Sequence, residues 1–88
     1  MISSSDEMAR HGRVVRHTLH RVMPAFPGSI GLDRLTRACQ EAVEAEGMRF
    51  DARCVGMLVS ALEEVGLVRT LSLGSTALCC WTHDRLGA

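Results

Sequence analysis

The segment Phe50–Val68, FDARCVGMLVSALEEVGLV, limits the fold more than any other stretch of this chain. Asp51 is the kind of residue that accepts a hydrogen bond from the free N–H groups of a helix start. Val55, Leu58, Val59 and Leu62 then recur at helical spacing, so one stripe of the helix must be buried. Gly66 supplies a stop, and Leu67-Val68 opens an extended run. The other face carries Arg53, Gly56, Met57, Ser60, Glu63 and Glu64. This helix therefore needs neighbours on one side and presents a mixed surface on the other.

Those neighbours are legible upstream. Ser4 and Glu7 have the spacing of a capping box, and a helix is expected from there to about Met23, before Pro24. At 100° per residue Met8, Val15, Leu19 and Val22 share one arc, expected to be buried. Arg10, Arg13, His17, His20 and Arg21 share the opposite arc as a basic stripe. Two prolines and a glycine make PAFPGSI a turn, with Phe26 expected to fold back on the core and Ile30 to form a one- or two-residue strand. A second helix is expected over Leu32–Glu46, with Leu32, Leu35, Cys39, Ala42 and Val43 inward and Gly47 as its stop. Arg34, Arg37, Gln40, Glu41 and Glu44 face outward. Leu67–Leu73 and Thr76–Thr82 read as two strands around the two-residue turn Gly74-Ser75. HDRLGA reads as a frayed end.

Eighty-eight residues allow one core and one domain, spanning 1–88. The apolar share of 47% is too high for a disordered chain. Phe26, Phe50 and Trp81 are the only aromatic residues of these types, so the core is built from Leu, Val, Met and Ala, which favours helices. The expected fold is mainly α with a small β-hairpin. Helix, short strand, helix, helix and hairpin is the order of the winged helix-turn-helix, with three helices and a two-stranded wing.

No apolar run approaches the roughly 18 residues that cross a bilayer, and MISSSDEMARHGR lacks the apolar middle of a signal peptide. A cytoplasmic chain is expected, with no membrane partner and with Cys39, Cys54, Cys79 and Cys80 as reduced thiols.

The middle of the chain resembles the DNA-binding half of the ferric uptake regulator family. The long connection EAVEAEGMRFD after the second helix carries part of the likeness, and FDARCVGMLVSALEEVGLV aligns without gaps on that family's third helix. The likeness covers about half of the chain. Its sharpest part, LEEVGLV, is shared by many winged helices and points to the fold more than to the family. The family usually places a Tyr-Arg pair in the middle of this helix, where Gly56-Met57 stand here. No counterpart of its metal-sensing and dimerisation domain lies within these residues, so metal-responsive repression is not implied.

Charge weakens the usual corollary of such a fold. The net charge is zero, and a strongly basic domain is what would argue for nucleic acid unaided. The distribution is uneven. Met8–Arg37 holds Arg10, Arg13, Arg16, Arg21, Arg34 and Arg37 against Asp33 alone, whereas Ala38–Gly66 holds six acids against Arg49 and Arg53. Arg53 and Ser60 could meet base edges, but Glu63 and Glu64 repel phosphate, and Gly56 and Met57 suit a protein contact. The wing tip Leu73-Gly74-Ser75-Thr76 has no cation for a minor groove.

Cys79, Cys80 and His83 are close in sequence, but neighbours in a strand point to opposite faces, so no metal site is expected. No phosphate loop, nucleophile elbow or carboxylate pair is present, so no catalytic residue, no cofactor and no enzyme are expected. Two functions remain. One is a DNA-binding transcriptional regulator on double-stranded DNA, a homodimer because one such domain makes few contacts. In it Arg34, Arg37 and Arg53 stand at the groove entry and Arg10, Arg13, His17 and Arg21 hold backbone. The other is a protein-interaction module that docks an acidic protein surface, as a subunit of a larger assembly or a mobile-element inhibitor of the anti-CRISPR type.

Overall fold

The structure, a computed structural model, describes residues 4–82, with side chains from residue 6 onward. It is mainly helical, with a small antiparallel sheet. The elements are α1 (Ser4–Val22), β1 (Ser29–Gly31), α2 (Leu32–Ala45), α3 (Ala52–Glu64), β2 (Val68–Leu73) and β3 (Thr76–Trp81). The capping role expected of Ser4 and the tail from His83 onward lie outside the described residues.

One face of every element meets in a single core. Val15, Leu19 and Met23 come from α1, Leu35, Cys39 and Val43 from α2, and Val55 and Val59 from α3. Val68, Cys79 and Trp81 close the core from the sheet, and Met48 from the connection after α2. Thr18 is buried among them, and its hydroxyl donates to the carbonyl of Val14 at 2.8 Å, so it leaves no unmet polar group.

Three residues expected to face inward are outside it: Met8, Phe26 and Ala42, the last only half-buried on α2. Met8 is 68% exposed although it lies on the buried arc of α1. The reason is length. α1 has 19 residues and α2 has 14, about 28 and 21 Å, so the first turns of α1 overrun their partner. His11, one turn later, takes the inward position instead. Phe26 is 43% exposed and does not fold back; its turn closes locally, with Gly28 N–H donating to the carbonyl of Ala25.

Both α2 and α3 end in the same way. Gly47 and Gly66 have φ of 78° and 80°, a backbone conformation that a side chain resists. At each end two bonds close the last turn: Gly47 to Glu44 and Met48 to Val43 after α2, Gly66 to Glu63 and Leu67 to Leu62 after α3. α3 begins with Asp51, whose carboxylate accepts from the Arg53 N–H.

The short strand expected at Ile30 joins the hairpin in one three-stranded sheet, in the order β1-β3-β2. Ser29–Gly31 pairs with Cys80–Leu78, so the short strand is a full partner of the hairpin. Register places Arg69, Leu71 and Leu73 opposite Cys80, Leu78 and Thr76. Side chains alternate, so these six share the outer face, while Val68, Cys79 and Trp81 face the helices.

Candidate functional site

α1 and α2 run antiparallel. Arg10 pairs with Glu46, the Cys39 thiol sits at Val15, and Arg34 lies beside Val22. The seam between them is an open groove of about 550 Å³. Arg10, Arg13, His17 and Arg21 line it from α1, over a floor that includes Val14, Thr18, Ala42 and Ala45. Arg10 to Arg21 is 11 residues along one helix, about 16 Å. At one end the Arg10 guanidinium donates to Glu46 at 3.3 Å. Both partners are half exposed, so this pair contributes at most about 1 kcal/mol. Arg13, His17 and Arg21 have no ion pair among the described residues. Four members of the expected basic stripe are thus brought together. The fifth, His20, instead stacks on Trp81, with ring centroids 5.4 Å apart.

Beneath the groove Cys39 is fully buried. Burial pushes its thiol up to about 11, and the Arg21 charge pulls in the other direction.

α3 flanks α2 on the side away from this groove. Thr36, near the start of α2, shares a cleft with Val55, Gly56, Val59 and Ser60 of α3 and with Thr70 and Ser72 of β2. On a helical wheel Thr36 and the groove residues Ala42 and Ala45 lie on opposite sides of the buried stripe Leu35-Cys39-Val43. Met57 and Ser60 are exposed on α3, Met57 at 71%.

The one cation of α3 is engaged. Arg53 donates from Nε and Nη2 to the two oxygens of Asp51, at 3.1 and 2.9 Å. This hydrogen bonding holds the Asp51 carboxyl below its usual range and raises the Arg53 guanidinium. At the other end of the helix Glu63 accepts from both the hydroxyl and the N–H of Thr70, at 2.8 and 3.3 Å. That carboxylate ties α3 to the hairpin. Glu64 is exposed, and the hairpin tip Leu73-Gly74-Ser75-Thr76 carries no cation. Arg69 belongs to the outer sheet face.

Arg34 and Arg53, expected at one groove entry with Arg37, line different grooves. Arg34 lines a separate groove with Val22, Pro24 and Ile30, and Arg37 is exposed on α2. Arg53 lines a third groove with Glu7, Met8, His11, Arg49 and Phe50.

Cys79 faces the core and Cys80 the outer sheet surface, where its thiol lies 3.7 Å from the carbonyl of Arg69. No group of three or more His, Cys, Asp or Glu side chains among the described residues could hold a metal ion.

Sequence reasoning missed His11. It is 5% exposed, stacks on Phe50 with centroids 5.8 Å apart, and accepts a hydrogen bond at Nε2 from the N–H of Asp51 at 3.0 Å. The signal was present: His11, Val15, Thr18, Leu19 and Val22 keep one helical register.

No helix of the described residues is long and apolar enough to cross a membrane. In comparison with known proteins, the chain matches no family model and no curated protein.

Proposed function

We propose that this chain is a winged-helix module that binds an acidic protein surface through the basic groove between α1 and α2. The element order and the sheet order β1-β3-β2 support the winged-helix reading, in which β2 and β3 form the wing. The observation that carries the partner reading is the separation of charge from α3. Arg10, Arg13, His17 and Arg21 line one groove on the flank of α2 away from α3, while the cation of α3 is held by Asp51. A DNA major groove would meet Met57, Gly56 and Glu64 with few cations behind them. The basic groove has an apolar floor of Val14, Ala42 and Ala45 and a carboxylate at one end, which suits side chains of a protein better than a run of phosphates.

One observation favours the second reading, a homodimeric DNA-binding regulator. The side chain of Arg53 is 86% exposed, and an ion pair that exposed holds weakly enough to be exchanged for a guanine or a phosphate.

Fluorescence anisotropy separates the two. A labelled random-sequence duplex and a labelled Glu-rich helical peptide are titrated with the protein at low salt. The proposal expects the peptide to bind, Arg13→Glu with Arg21→Glu to abolish that binding, and the duplex to bind more weakly. Tighter duplex binding that survives Arg13→Glu with Arg21→Glu but is lost in Arg53→Ala would overturn it in favour of the regulator.

A further inference from the structure

We infer that His11 is a proton-operated latch that fastens the start of α3 to α1. The bond from the Asp51 N–H to Nε2 joins residues 40 positions apart, at the residue that caps α3. An imidazole that accepts at Nε2 is neutral and carries its proton on Nδ1. Nδ1 is itself buried and has no partner among the described residues. The ring is thus held in one tautomer by a single hydrogen bond and by its stacking on Phe50.

A second proton can enter only at Nε2. There it converts the acceptor into a donor that faces the Asp51 N–H, and the bond is lost. The new charge is left in a site that is 5% exposed, with two N–H groups and no acceptor in place for either. Relief requires the ring to leave, and with it the start of α3.

The charged and titratable groups around the ring do not remove this conflict. Glu7 stands one turn earlier on α1, and Arg49, Asp51, Arg53 and Cys54 come from the connection and α3. Arg10, its neighbour on α1, is paired to Glu46. The Asp51 carboxylate is already chelated by Arg53, and the two nearby carboxylates are offset by two guanidinium groups. The latch therefore responds to the proton on His11, and its release shifts Asp51, Ala52 and Arg53 together, because they share the capping turn.

The test is amide nuclear magnetic resonance of the wild-type protein, followed from about pH 8 down to the acid limit of the folded state. The Asp51 amide is expected to shift with the His11 ring resonances, and exchange protection in the first turn of α3 to be lost at the acid end. In His11→Gln, whose amide oxygen can accept without titrating, the Asp51 amide is expected to stay flat. In His11→Phe, which keeps the ring and lacks the acceptor, α3 is expected to start unlatched at every pH. A wild-type Asp51 amide that does not follow His11, or one that moves equally in His11→Gln, overturns the latch. The wild-type titration decides the matter even if a variant fails to fold.

Discussion

At the scale of single residues, burial decides chemistry more than residue type does. Cys39 and Cys79 are fully buried, and burial pushes each thiol up to about 11. Cys54 and Cys80 are only partly covered. At about pH 8 the folded protein is expected to take up iodoacetamide at Cys54 and Cys80 first, with Cys39 and Cys79 modified only on unfolding; peptide mass mapping reads the order. The same shifts carry a sign for stability. A thiol with a raised value in the folded state binds its proton more tightly there than in the unfolded chain. Its contribution is fully present below the unfolded value of 9.0 and is lost as pH rises towards about 11. Thermal melts between these limits should show the midpoint falling with pH, and a flat profile would refute the assignment. Cys39 was legible as a small apolar residue because its spacing matched Leu35 and Val43. The exposure of Met8 was not legible, and the register that places His11 inward did not show which of the two would be buried. Both lie on the inward arc of α1, and only the length mismatch with α2 decides that the methionine is left in solvent while the histidine is buried.

At the scale of elements, helix ends were the clearest signals in the chain and strand partners the weakest. Gly47 and Gly66 stop α2 and α3 because their positive φ closes a turn that any other residue would strain. Asp51 starts α3 by a bond within its own turn. Such local devices can be read from a few adjacent letters. The short strand at Ile30 was legible, but its pairing with β3 joins distant segments and was not. Gly56 offers a test of what α3 is for. A Cβ added there meets nothing within 4 Å, so no internal contact requires the glycine. Gly56→Ala is expected to stabilise the fold by about 0.5–1 kcal/mol, read as a shift of the urea midpoint at unchanged slope. If α3 is not the binding face, the same variant binds its partner unchanged; a loss of binding would assign that face to a partner. Leu35 marks the opposite case. It is fully buried on α2, and Leu35→Ala is expected to cost about 2–5 kcal/mol. Leu73→Ala, on the exposed hairpin, should stay within about 0.5 kcal/mol. Equal effects in these two variants would contradict the position of the core.

For the whole molecule, the governing fact is that a net charge of zero conceals a division between elements. α1 contributes the open cations of the groove, while α3 neutralises its own arginine and turns one of its acids into the hairpin. This division bounds any contact with nucleic acid. The groove offers the fixed charges of Arg10, Arg13 and Arg21. Each phosphate neutralised on duplex DNA contributes about 0.9 to the slope of log affinity against log salt. Duplex bound to these three arginines alone therefore has a slope no steeper than about −2.7. A DNA-reading domain that also engages Arg34, Arg37 and Arg53 would need about twice that. The measurement is a salt series with a random duplex, on wild type and on Arg13→Glu with Arg21→Glu. A shallow slope that flattens further in the double variant fits a groove used for acidic side chains, with DNA as a weak competitor. A slope near −5 in the wild type would mean that the arginines of α2 and α3 act on DNA together with the groove, and the regulator reading would replace the proposed one.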